Sequence, residues 1–345
     1  MTLQQQITAA FEYNTPLSIS GGGSKQFLGN PVAGETLSTS EHKGVINYQP
    51  DELVMTVRSG TPLQEIKEIL KAQHQRLAFE PPSFGDTATI GGTFSCGLSG
   101  PSRPWAGSAR DSLLGCSIIN GRGEQLHFGG EVIKNVAGYD ASRLMVGAFG
   151  TLGLLMDVSF RVLPVPAAEI TLGFSVSASQ AVSSVVAWSR QPLPITAAAW
   201  LDGKLLIRLA GAQAAIRAAH LQLGGEESNQ RKFWQQLREQ QLDFFQTGKP
   251  LWRLSLPMAT APLNLAGEQL IEWGGALRWL LSEEDPQIIR LAATAAGGHA
   301  TCFRNAQGRD IFSPLSKPML ALQQRLKKSF DPKGILNPGR IYAEL

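Results

Sequence analysis

Glycines at 147, 150 and 153 form a G-x-x-G-x-x-G pattern directly ahead of an apolar stretch, Leu154 to Leu163, that reads as a strand. Three further glycine-bearing segments lie upstream, each beside a run with strand character: Ser20-Gly21-Gly22-Gly23-Ser24, Ala88-Thr89-Ile90-Gly91-Gly92 and Gly107-Ser108-Ala109-Arg110-Asp111. Successive glycines after a strand let consecutive backbone N–H groups point into one concavity, which binds phosphate oxygens without a cationic side chain. One large ligand held by several loops is the economical explanation, with Gly21 to Ser24 cradling a pyrophosphate. Taken alone, the triplet is equally well explained as a tight turn. It is not a P-loop, because no Gly-Lys-Ser/Thr follows at the required spacing, and Gly21-x-Gly23-x-x-Gln26 lacks the third glycine of the dinucleotide fingerprint. A nicotinamide-binding Rossmann unit is therefore disfavoured.

Other chemistry-bearing residues are sparse. Cys96, Cys116 and Cys302 are far apart and form no C-x-x-C pair, so neither a disulfide framework nor an iron–sulfur or zinc site is written here. The histidines at 42, 74, 127, 220 and 299 have no metal-ligand spacing and read as surface or satisfied structural residues. Lys134 and Arg143 could face an anionic ligand, but pairing with Glu131 or Asp140 is the plainer reading. Tryptophans 188, 200, 234, 252, 273 and 279 sit in periodic apolar segments and read as core.

The composition, 43% apolar and 17% charged over 345 residues, is that of a globular chain large enough for two cores rather than a disordered one. Its net charge of +3 is scattered, which argues against a nucleic-acid surface. No apolar run approaches the ~18 residues of a spanning helix, and the start Met1-Thr2-Leu3-Gln4-Gln5-Gln6 does not read as a signal peptide. The expectation is a cytoplasmic protein, with peripheral membrane attachment through a partner left open.

These loops need elements to hold them. Thr8 to Tyr13 reads as the end of a helix, Leu17 to Ser20 as a strand feeding the glycine turn, and Val45 to Tyr48 and Leu53 to Val57 as strands. Thr61-Pro62-Leu63-Gln64 predicts a helix to about Gln73, with Thr61 as N-cap, Pro62 at the first position and Gln64 closing a capping box. Gly85 to Gly107 reads as a long functional loop. Leu113 to Phe128 predicts a hairpin closed by a type I′ turn at Asn120-Gly121. After Pro164-Val165-Pro166 the order β-α-β-β-α, with Asp202-Gly203 as a turn, predicts a ferredoxin-like antiparallel sheet with helices on one face. Lys317 to Phe330 reads as an amphipathic helix, in a tail expected to pack back on the first domain. The domains implied are 1–165, 166–305 and a C-terminal arm, 306–345.

The set of loops, with Val136 to Gly153 and the terminal Asn337-Pro338-Gly339, resembles the FAD-linked oxidases of the vanillyl-alcohol oxidase and p-cresol methylhydroxylase (PCMH) type. Residues 136–153 look closer still to the family of E subunits of glycolate oxidase complexes. The resemblance implies an α+β chain with a bipartite PCMH-type FAD-binding fold and a second, reduced ferredoxin-like cap domain. It places Ser20, Gly21, Gly22, Gly23, Ser24 and Lys25, with Thr87, Ala88, Thr89, Ile90, Gly91 and Gly92, near the pyrophosphate. Gly107, Ser108, Arg110, Asp111, Gly138, Tyr139, Asp140 and Arg143 would lie along the flavin, with Lys134 at its edge. Gly150, Gly153 and Leu155 fall at the adenine side, and Pro82 and Ser95 complete the set. With no nucleophile in the first loop, non-covalent FAD is expected, Cys96 being the one residue that speaks against it. Substituting Gly22→Val should then block the pyrophosphate and leave the fold largely intact.

Relatives that oxidise 2-hydroxy acids directly carry a His-x-Gly-Asp-Gly-Asn base and metal motif; here the nearest string is Gly297-Gly298-His299-Ala300-Thr301-Cys302, without the acid. The implied function is an FAD-binding subunit of a glycolate (2-hydroxy acid) oxidase, its FAD in electron transfer, with a larger FAD-containing subunit and an iron–sulfur subunit as partners. The alternatives are a self-sufficient dehydrogenase using a base such as His299 or Tyr139, and a non-catalytic assembly scaffold.

Overall fold

The computed structural model describes residues 1–130, 140–230, 232–306 and 310–345, which divide into two compact units. Unit 1 comprises Met1–Ser99, Gly107–Pro164 and Pro314–Leu345; unit 2 comprises Gly100–Ala106 and Val165–Ser313.

Unit 1 begins with α1 (Leu3–Tyr13), capped by a Thr2–Gln5 capping box, and β1 (Leu17–Ser20), which pairs in parallel with β2 (Glu35–Ser38). Strands β3 (Val45–Gln49), β4 (Val54–Arg58) and α2 (Leu63–Ala72) follow, then β5 (Gln75–Leu77) and α3 (Ile90–Cys96). The hairpin β6 (Leu113–Ile119) and β7 (Gln125–Gly129) and the long β8 (Leu154–Pro164) complete a six-stranded antiparallel sheet. Its order is β3-β4-β8-β6-β7, with β5 also on β8. The central β8 alternates buried Val158, Phe160 and Val162 with Asp157, Ser159 and Arg161, and α2 and α3 cover one face of the sheet through Leu63, Ile66, Leu70, Ile90 and Phe94. The helix Lys317–Phe330 belongs to this unit, and the chain beyond it returns to β1, where Leu17 N–H donates to Ile335 O at 2.7 Å and Asn337 N–H to Leu17 O at 3.0 Å.

Three local expectations are corrected. The stretch read as a long loop contains α3, capped by Thr89, whose hydroxyl accepts from Gly92 N–H at 3.2 Å. Thr61 does not cap α2: its hydroxyl donates to Arg58 O (2.7 Å) and accepts from Gly44 N–H (2.9 Å), while Leu63 N–H, the first amide of the helix, finds Ala88 O at 2.7 Å. The hairpin forms, but Asn120-Gly121 is not a type I′ turn, since only Gly123 has a positive φ (+80°) in that connection. Asn120 Oδ1 instead accepts from Arg122 and Glu124 N–H, and Gly121 is required because a Cβ there would lie 2.3 Å from Asp331 Oδ1.

Unit 2 is built on β9 (Ala168–Ser175), α4 (Ala178–Ser189), β10 (Ile195–Leu201), β11 (Lys204–Gly211), α5 (Gln213–Leu223) and β12 (Glu226–Glu227). β13 (Leu251–Ser255), β14 (Glu268–Glu272), β15 (Leu277–Leu281), α6 (Pro286–Ala295) and β16 (His299–Arg304) follow. The eight strands run β12-β9-β11-β10-β14-β15-β13-β16, antiparallel throughout. The first half therefore has the split βαββαβ order, the second repeats its strand order, and the two halves meet edge to edge at β10 and β14. The second half has no helix in its first crossover; Arg278, 1% exposed, donates instead to the carbonyls of Thr260, Ala261 and Gly275 and holds that segment against the sheet. Helices α4 and α5 cover Leu172, Ala198, Leu205, Ile207 and Leu209; α6 covers Trp252, Leu254, Leu280 and Ala300. Of the tryptophans read as core, 234, 252, 273 and 279 are buried and 188 and 200 half-buried. No helix among the described residues is long and apolar enough to cross a membrane.

Candidate functional site

In unit 1 an open cleft is lined by Ile19 to Gln26, Thr39, Ser59, Thr89, Gly91, Gly92, Ser95 and Cys96, and by Phe149, Gly150, Gly153 to Leu155, Asn337 and Arg340. Four glycine-dependent approaches build it. A Cβ at Gly22 would sit 1.4 Å from Thr87 O and one at Gly21 2.5 Å from Thr89 Oγ1, so the first loop lies flat on the second. Gly91 lies on Ser59, to whose carbonyl its N–H donates at 2.8 Å, and a Cβ there would meet Ser59 Cβ at 2.6 Å. Gly150, at φ +73°, leaves room for Asn337 Nδ2. Gly153 faces the Ile118 side chain at 2.7 Å from its missing Cβ, which brings the start of β8 against β6.

Gly23 turns the first loop at φ +72° with no atom closer than 3.7 Å to its absent side chain. Lys25, although buried, directs Nζ to Ser83 O (3.2 Å) and Ser24 Oγ (3.3 Å). Arg340 donates to the carbonyls of Asn30 and Leu28, both at 2.6 Å, and of Gln26 at 3.1 Å, and its burial lowers the guanidinium pKa. Asn337 accepts from Ile19 N–H at 2.7 Å and donates to Phe149 O at 2.6 Å. Burial pushes the Cys96 thiol up to about 11, against the opposing pull of Lys25 and Arg340.

The structure brings together Ser20, Gly21, Gly22, Gly23, Ser24, Lys25, Thr89, Gly91, Gly92, Ser95, Gly150, Gly153 and Leu155. Outside the lining lie Pro82, Thr87, Ala88 and Ile90, where Thr87 O supports Gly22 and Ala88 O receives the first amide of α2. Gly107, Ser108, Arg110 and Asp111 also lie outside it; Ser108 and Asp111 form a capping box on the short helix Ala109–Ser112. Arg143 pairs with Asp140 at 2.8 Å on the surface. Lys134, Gly138 and Tyr139 lie outside the described residues. Sequence reasoning missed Thr39, Ser59 and Phe149, which carry no local signal, and did not assign Asn337 and Arg340, although the Asn337-Pro338-Gly339 string stood out.

The cleft suits a long, acceptor-rich ligand. Ser59 Oγ, in a residue 1% exposed, has no hydrogen-bond partner among the described residues and lines the cleft. A buried hydroxyl left unpaired costs about 1–3 kcal/mol, so a bound acceptor there would recover that loss. The side-chain-free turn at Gly23 leaves room on the lining, and Lys25 and Arg340 add positive charge there, which suits an anionic ligand.

Architecture and cleft together define an FAD-linked oxidase. The FAD binding domain family matches residues 2–129, and the FAD linked oxidases C-terminal domain matches residues 313–341. The chain is 52% identical over 344 residues to glycolate oxidase subunit GlcE of Escherichia coli K12, covering 99% of this chain and 97% of that one. It belongs to that family of FAD-linked oxidase subunits. Glycolate oxidase subunit GlcD of Bacillus subtilis 168 is 28% identical over 189 residues, 52% of this chain and 40% of that protein. An alkyldihydroxyacetonephosphate synthase structure shares the fold with a TM-score of 0.67 and 17% identity, over 97% of this chain and 75% of its own.

Proposed function

We propose that this chain is the FAD-binding subunit of a glycolate (2-hydroxy acid) oxidase that converts glycolate to glyoxylate with partner subunits, its own FAD serving in electron transfer. The observation that carries this reading is the near full-length 52% identity to a glycolate oxidase subunit, in a chain whose glycine loops converge on one cleft. Bound FAD accepts two electrons as a pair and can release them singly. The rest is done by this chain's residues. Gly21 to Ser24 and the Thr89 hydroxyl would present donors to the pyrophosphate, Gly91 and Gly92 would let the chain lie close to it, Ser59 would supply a further hydroxyl, and Lys25 and Arg340 would contribute charge. Gly150, Gly153 and Leu155 bound the adenine side. Unit 1 would make up the FAD-binding part and unit 2 the cap, so that 100–106 and 306–313 go with the cap rather than with the 1–165 and 306–345 segments expected from the sequence.

Oxidation removes two electrons and two protons from glycolate, and a base must take the hydroxyl proton. The sequence around His299 lacks the acidic part of the motif that supplies such a base, which favours substrate chemistry on a larger FAD-containing partner and onward transfer through an iron–sulfur subunit. A cytoplasmic complex, peripheral to the membrane through those partners, is consistent with this. The test is the visible flavin spectrum under anaerobic glycolate. The expected result is an oxidised band that stays unchanged in the purified chain and bleaches in the complex. Bleaching of the isolated chain would overturn the electron-transfer assignment in favour of a self-sufficient dehydrogenase. Loss of all flavin on gel filtration would favour the scaffold.

A further inference from the structure

Unit 1 holds a buried ion pair that is not part of the cleft lining and that the flavin reading leaves unused. Lys327, near the end of the helix Lys317–Phe330, is 7% exposed, and Asp331, just past that end, is 1% exposed. Lys327 Nζ lies 2.8 Å from Asp331 Oδ2 and donates to Thr151 O at 2.8 Å and to Leu336 O at 2.7 Å. All three ammonium protons therefore have acceptors. Asp331 in turn accepts from Ile335 N–H at 3.1 Å and from Leu336 N–H at 2.7 Å.

The segments joined in this way are the ones that build two walls of the cleft. Thr151 sits in the turn between Gly150 and Gly153, and Leu336 bridges Leu17 and precedes Asn337; Gly150, Gly153 and Asn337 all line the cleft. Burial lowers the Lys327 pKa, and Asp331 opposes that shift. Taking both charges out of water offsets most of their attraction, so the pair is a poor source of net stability. What it supplies is selectivity, since an ammonium with three fixed acceptors is satisfied in one arrangement of them. An apolar side chain of the same size would fill the space without choosing the position of either carbonyl.

We propose that Lys327, neutralised by Asp331, is a positioning residue: it sets the Gly150–Gly153 turn against Leu336 and Asn337 in the arrangement that FAD requires, so that FAD binding and docking of the arm are coupled. Neither side chain lines the cleft, and both act through the backbone they hold. The inference rests on the flavin reading above. Such coupling is reciprocal: what FAD gains from the docked arm, the arm gains from FAD.

The experiment compares the full chain with Lys327→Met and with the double variant Lys327→Met/Asp331→Asn, which leaves no unpaired buried charge. FAD affinity is read by fluorescence titration, and amide hydrogen exchange by mass spectrometry with and without FAD. The expected result is FAD binding weakened by roughly tenfold or more in both variants. In the flavin-free variants the peptide spanning 335–340 should exchange faster, while β4, β6 and β8 keep their wild-type protection. In the wild-type chain, bound FAD should slow exchange of that same peptide. The proposal is overturned if the double variant binds FAD as tightly as wild type, or if bound FAD leaves the peptide unchanged. It is also overturned if the sheet loses protection together with the arm, which would mean a general structural role. A wild-type chain that binds no FAD would sink the flavin reading and the coupling with it, whereas failure of the joint alone shows as unchanged exchange in the flavin-free variants.

Discussion

Asn337 accepts the backbone proton of Ile19 at 2.7 Å across 318 positions of sequence, and the same carboxamide donates to Phe149 O at 2.6 Å. One side chain in the C-terminal arm thus ties the strand that launches the first glycine loop to the turn that carries Gly150. Asn337→Ala removes both bonds and opens space beside Gly150. A loss of about 1–3 kcal/mol in unfolding free energy is expected, together with at least tenfold weaker FAD binding by fluorescence titration. Wild-type affinity would show that the arm does not shape the cleft.

Gly22→Ala tests the floor of the cleft. Gly22→Val was expected to block a ligand and spare the fold. The structure corrects this, because the added Cβ would lie 1.4 Å from Thr87 O and so collides with backbone rather than with ligand space. Even alanine must push the two loops apart. Lowered thermal stability of the FAD-free protein, alongside lost FAD, is the expected outcome. An undisturbed melting temperature would contradict this packing.

Cys96 lines the cleft with its thiol pushed up to about 11, so at pH 8 on the order of 0.1% is thiolate. Alkylation by iodoacetamide at pH 8 should be slower than at an ordinary exposed cysteine by roughly two orders of magnitude, as read by mass spectrometry. The sign for stability follows from linkage. The folded state holds the proton above 9.0, where an unperturbed thiol releases it, so this contribution is complete below pH 9 and is lost as pH rises toward 11. Cys96→Ala should flatten that part of the alkaline stability curve.

Arg278→Met should destabilise unit 2 by about 3 kcal/mol or more, because it strips the buried donors from the carbonyls of Thr260, Ala261 and Gly275. Urea unfolding followed by tryptophan fluorescence reads the change. A shift under 1 kcal/mol would mean that water replaces the guanidinium.

The fold class was legible because the signals that set it are local. β8 shows as a stretch rich in apolar residues, the β9–α4–β10–β11–α5 order shows in alternating and helical periods, and the glycine loops show as composition. Local signals failed where a distant partner satisfied the backbone instead. The Thr61-Pro62-x-Gln64 pattern promised a capping box, but Ala88 O takes the first amide of α2. Asn120-Gly121 resembled a type I′ turn, but Gly121 is small to admit Asp331. The pseudo-repeat in unit 2 escaped notice because its second half replaces a crossover helix with irregular chain held by Arg278.

By itself the sequence determined the α+β class, the glycine positions that close contacts require, and the family resemblance carried by residues 136–153 with the terminal Asn337-Pro338-Gly339. Tertiary structure alone decided which glycines meet which loops, that Ser59 lines the cleft without a partner among the described residues, and that Arg103 joins Arg253 on the Trp273 indole ring. The reason is physical. Periodicity and turn chemistry act over a few residues, whereas a buried donor, an unpaired hydroxyl or two like charges acquire meaning only when folding brings distant chain into contact and removes the water that would otherwise satisfy them.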